Sequence, residues 1–131
     1  MKIISAKLNK EPFHSLTKKD LKLMFNLLPN QWTENIKEVV LSAEMFSKSR
    51  FGRPVIYSTY LNRLKIISRG FTKTEAAKEV ILELALNGNV SQTKFESHVP
   101  RVKLHNIDML VSFFVTDFIK QLEHSKPIKR D

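Results

Sequence analysis

The stretch Thr72 to Gly88 constrains this chain more than any other. Thr72 followed by Glu75 forms a capping-box pair that opens a helix, and Asn87-Gly88 is a stop signal. Between them Ala76, Ala77, Val80, Ile81, Leu84 and Ala85 recur at helical spacing and make one apolar stripe. Leu82 and Leu86 widen it, so the second half is apolar on most of its circumference and predicts a helix covered on several sides. Glu83 alone interrupts the run Val80 to Leu86. Any fold for this chain has to bury the stripe and find a place for that carboxylate.

The remaining segments supply the cover. Lys2 to Leu8 alternates loosely and predicts a strand. Thr17 and Asp20 can cap a helix whose buried face is Leu21, Met24, Phe25 and Leu28 and which Pro29 ends. Trp32 follows a Pro-Asn-Gln turn and reads as a core anchor under a short connection, with an exposed recognition side chain as the alternative. Ile36 to Glu44 reads as a strand through its β-branched run, with a short helix as the alternative. Met45 to Pro54 reads as a loop. Val55 to Tyr60 and Arg63 to Ser68 read as a hairpin turning near Leu61-Asn62. Asn89 to Lys103 lacks periodicity and reads as loop. Asn106 caps a long helix to His124 with core face Ile107, Leu110, Val111, Phe114, Phe118, Ile119 and Leu122. The order predicts an α+β fold: a small sheet of three to four strands, packed by a central buried helix, an N-terminal helix and a long C-terminal helix. The same reading predicts one compact domain over residues 1–125 and a basic, frayed tail over 126–131.

That order resembles the small zincin-type metallopeptidase domains, from about Leu21 to Leu122. There, a helix ending near Leu-Pro leads to a strand and then a strand pair. A buried helix with His-Glu-x-x-His follows, and a later helix supplies the third metal ligand. Here Leu82-Glu83-Leu84-Ala85-Leu86 stands at the motif, and only Glu83 matches. Zinc needs donors at about 2.0–2.1 Å, and leucine has none. The resemblance therefore implies a domain without metal, cofactor or catalysis. Its groove would involve Glu79, Leu82, Glu83, Leu86 and Asp117, the last being the acid in the run Ser112 to Phe118. The plainer account of Glu83 is a solvated line, since Glu75, Glu79, Glu83 and Asn87 fall four residues apart. Both accounts hold if that line borders a groove.

Charge offers a second surface. The formal net charge is +9, which suits an acidic protein, an anionic membrane or nucleic acid. No acid lies between Glu44 and Glu75, while Lys48, Arg50, Arg53, Arg63, Lys65, Arg69 and Lys73 are basic and Phe46, Phe51, Tyr57, Tyr60 and Phe71 are interleaved. Such a hairpin can serve as a single-strand platform, with cations on phosphates and rings on bases, or simply as a charged edge that discourages aggregation. The histidines His14, His98, His105 and His124 show no zinc spacing, and no phosphate-binding glycine loop or nucleophile elbow is present. With no cysteine, no leader pattern and no run of roughly 20 apolar residues, the expected setting is the cytoplasm, without a transmembrane segment. The expected role is a non-catalytic binding module for a macromolecular partner. The alternative is a nucleic-acid-binding accessory protein using the hairpin 48–69.

Overall fold

The computed structural model describes residues 1–46, 52–88 and 107–125. Within them lie strands β1 (Lys2–Ser5), β2 (Glu38–Leu41), β3 (Val55–Ser58) and β4 (Arg63–Ile66). The helices are α1 (Lys18–Leu27), α2 (Asn30–Thr33), α3 (Lys73–Gly88) and α4 (Ile107–Ser125). The fold is α+β, with one four-stranded sheet in the order β1-β2-β4-β3. β1, β2 and β4 run parallel, and β3 runs antiparallel to β4 on the edge.

Side chains alternate across a strand, so the register sorts the sheet into two faces. Ile3, Val39, Leu64 and Tyr57 align in one row, and Ser5, Leu41, Ile66 and Val55 in the next. Val39, Leu41, Val55, Leu64 and Ile66 of these rows are buried in the core. The opposite face carries Lys2, Glu38, Arg63 and Ser58, then Ile4, Val40, Lys65 and Ile56. The hairpin closes through Asn62 at φ 51, a left-handed position that Asn tolerates better than most residues. β2 is shorter than the expected Ile36–Glu44 segment, and the helical alternative there is not formed.

Both capping boxes form. Thr17 Oγ1 accepts the Asp20 N–H at 3.1 Å, and Asp20 accepts the Thr17 N–H at 2.9 Å. Thr72 and Glu75 repeat the pattern at 3.1 and 2.9 Å. Asp20 is buried and also pairs with Lys73 Nζ at 2.8 Å, which ties the first turn of α1 to that of α3. α1 ends at Leu27, and its cap Leu28 is held extended before Pro29, as favoured for a residue preceding proline. The expected turn before Trp32 is the one-turn helix α2, and Trp32 is buried edge-on against Phe114, with ring centroids 5.3 Å apart.

α3 packs against β3, α2 and α4. Its residues Ala76, Ala77, Val80, Ile81, Leu84 and Ala85 are all buried, as the stripe predicts. Ile107, Val111 and Phe118 anchor α4 in the same core, with Leu110, Phe114, Ile119 and Leu122 packed around them. The Asn89–Lys103 loop, the Asn106 cap and the tail 126–131 lie outside the described residues, as does part of the Met45–Pro54 loop.

Candidate functional site: the carboxylate of Glu83

Glu83 meets the sheet at its antiparallel edge. In the β3–β4 ladder the Ile67 N–H donates to the Pro54 carbonyl at 2.8 Å. Antiparallel pairing alternates hydrogen-bonded and non-bonded pairs, so Tyr57, opposite Leu64, points its N–H away from β4. Glu83 Oε2 accepts that N–H at 2.8 Å. Its Oε1 lies 2.8 Å from Arg53 Nη1 as an ion pair, without the in-line geometry of a hydrogen bond. One turn later Asn87 Nδ2 donates to the Glu83 carbonyl at 2.8 Å. The Glu83 side chain is 3% exposed, whereas that of Arg53 is 55% exposed.

The solvated-line account of Glu83 is therefore corrected. Glu75 is exposed at the cap, Glu79 is half-buried, and Glu83 is buried. The polar line starts in water and runs under β3, where an outward-facing backbone N–H needs an acceptor. The cover on several sides of α3 reaches Leu82, which is half-buried against the core, but not Leu86, which is 40% exposed. Asp117 lies on the outer face of α4. It lines a shallow hollow of about 350 Å³ with Met109, Ser112, Phe113, Thr116 and Lys120, and no described hydrogen bond or ion pair joins it to Glu83. The five groove candidates thus belong to different environments.

The basic hairpin is also more engaged than its composition suggests. Arg63 Nε donates to Glu38 Oε1 at 2.7 Å, between register partners on β4 and β2. Lys65 pairs with Glu44. Arg69 donates to the carbonyls of Pro12 at 2.8 Å, Lys10 at 3.3 Å, and Ala43. It ties the chain before α1 to the segment after β2. Replacing Arg69 with alanine should lower the unfolding free energy by about 2 kcal/mol, since bonds to a charged donor are lost at three carbonyls that water can partly replace. Urea denaturation measures this.

The rings divide likewise. Tyr57 packs on the core, and burial pushes its phenol above the ordinary value of 10.0. Phe46 tilts against Phe71 with centroids 5.7 Å apart. Tyr60 projects from the turn, 92% exposed. Lys48 and Arg50 lie outside the described residues, as do His98 and His105. Among the described residues no three His, Asp or Glu side chains converge on a point that could hold a cation.

The acids that answer the basic run, Glu38, Glu44 and Glu83, come from outside the acid-free stretch, which is why a linear reading misses them. A signal for Glu83 was present: a single acid inside an otherwise apolar helical run marks a buried acceptor. No protein-family model, no curated protein and no solved structure matches this chain.

Proposed function

We propose that this chain is a non-catalytic, zincin-like binding module for a macromolecular partner. The likeness is supported by the element order: α1 ending before Pro29, then β2, the β3–β4 pair, a buried α3 and a later α4 packed on it. The non-catalytic part is supported by the engagement of Glu83. The Glu83 side chain is 3% exposed, with Oε2 on the Tyr57 N–H and Oε1 beside the Arg53 guanidinium, so its contacts serve the fold.

The observation that carries the binding role is the outer face of α4. Met109 is 73% exposed and Phe113 64% exposed, one turn apart beside the hollow that Asp117 and Lys120 border. Large apolar side chains grouped on a surface mark interaction sites. The test replaces both Met109 and Phe113 with serine and compares affinity capture with the parent chain. Stability should fall by about 1 kcal/mol, because both side chains are largely in water and the main loss is the edge-on contact of Phe113 with Phe114. A protein captured by the parent and lost with the variant supports the reading; identical capture profiles refute it.

The nucleic-acid reading has less behind it, because Arg53, Arg63, Lys65 and Arg69 all have partners within the chain. It predicts salt-sensitive retention on single-stranded DNA or RNA that weakens in Arg63→Ala with Lys65→Ala.

A further inference from the structure

The end of the sheet where β1, β2 and β4 begin combines exposed apolar tips with exposed lysines. The turn after β3 presents Tyr60 at 92% exposure and Leu61 at 51%. The turn is held in shape: the Leu61 N–H donates to Ser58 Oγ at 3.4 Å, and Asn62 is left-handed. The Asn62 carbonyl accepts the Lys37 N–H at 2.8 Å, and the Lys37 carbonyl accepts the Lys2 N–H at 3.0 Å. These bonds string Lys2, Lys37 and the turn along one rim. Lys2 and Lys37 are exposed and have no carboxylate partner among the described residues. Glu38, on this rim, is taken by Arg63.

We infer that this rim docks on an anionic lipid bilayer. An aromatic side chain with a polar tip suits the headgroup layer, and a neighbouring leucine can enter the acyl boundary. Lysines beside them gain from the negative surface potential, about fivefold in affinity each. The whole chain, at +9, adds to that attraction. Nucleic acid fits less well, because Leu61 has no aromatic face on which a base could stack, and the rim guanidinium, Arg63, is paired with Glu38, which leaves the lysines Lys2 and Lys37. The inference uses neither the α4 face nor the zincin likeness. No described helix is long and apolar enough to cross a membrane, so the contact is peripheral.

The test is sedimentation of the full chain with phosphatidylcholine–phosphatidylserine vesicles and with pure phosphatidylcholine vesicles at about 0.1 M salt. Binding is expected to the mixed vesicles only. It should weaken about fivefold for each of Lys2→Ser and Lys37→Ser. For Tyr60→Ser with Leu61→Ser the loss should be at least about tenfold. As a second readout, Tyr60→Trp adds an indole emission that brominated lipids should quench, while buried Trp32 stays unquenched. The inference falls if the folded chain does not bind mixed vesicles, if the rim variants bind unchanged, or if the emission added by Tyr60→Trp is not quenched. It also falls if the rim substitutions remove retention on single-stranded nucleic acid and leave vesicle binding intact.

Discussion

Replacing Glu83 with alanine should lower the unfolding free energy by about 3 kcal/mol. Most of this comes from the Tyr57 N–H, which loses a charged acceptor at 2.8 Å in a buried position. Such a loss costs about 1.5–3 kcal/mol, and the removed side chain leaves a small void. The Arg53 side chain adds little, because it is half exposed and water can take over its charge. Glu83→Gln should cost only about 1 kcal/mol, since the amide oxygen can still accept from Tyr57. The ordering matters as much as the size. A residue on a solvated line would shift stability by under about 0.5 kcal/mol in either variant. Denaturant titration of the three chains separates the cases.

Phe118→Ala should cost more, about 4 kcal/mol. Phe118 is fully buried and is the bulkiest of the fully buried side chains among the described residues. Truncating such a ring loses its transfer energy and leaves a cavity that packed neighbours close only in part. Phe114→Ala should cost less, because that ring is only partly buried, although it would lose its edge-on contact with Trp32. The far face of the helix offers a control: Met109→Ala, at 73% exposure, should change stability by under about 0.5 kcal/mol. A loss under about 1 kcal/mol for Phe118→Ala would mean that α4 does not close the core. Thermal or urea unfolding with a fixed baseline suffices for all three.

What the sequence made legible was local. Thr17 with Asp20 and Thr72 with Glu75 sit three residues apart, and both capping boxes form. The α3 stripe and the Ile107–Phe118 face depend only on period and polarity, and both are packed into the core. The hairpin turn at Asn62 follows from a residue that accepts a left-handed backbone.

The rest depended on segments far apart in the chain. Parallel pairing of β1 with β2 and of β2 with β4 joins strands that are not neighbours through a turn, so no short motif announces it. Arg63 finds Glu38 across 25 residues, and Glu83 reaches Tyr57 across 26. A four-residue polar spacing says that Glu75, Glu79, Glu83 and Asn87 share a line. It does not say whether that line faces water or the unpaired edge of a strand. The same limit applies to Leu86, which is apolar in sequence yet 40% exposed.

The central claim is that Glu83 is a structural acceptor on the β3 edge. The most direct test is amide hydrogen exchange at Tyr57, followed residue by residue in the parent chain and in Glu83→Ala. The account predicts strong protection of this outward-facing N–H in the parent. In the variant, protection should fall by at least about tenfold more than at Leu64 and Ile66 of β4, which lose only the global stability. A Tyr57 amide that exchanges freely in the parent, or whose protection falls no further than that of Leu64 and Ile66, would contradict it.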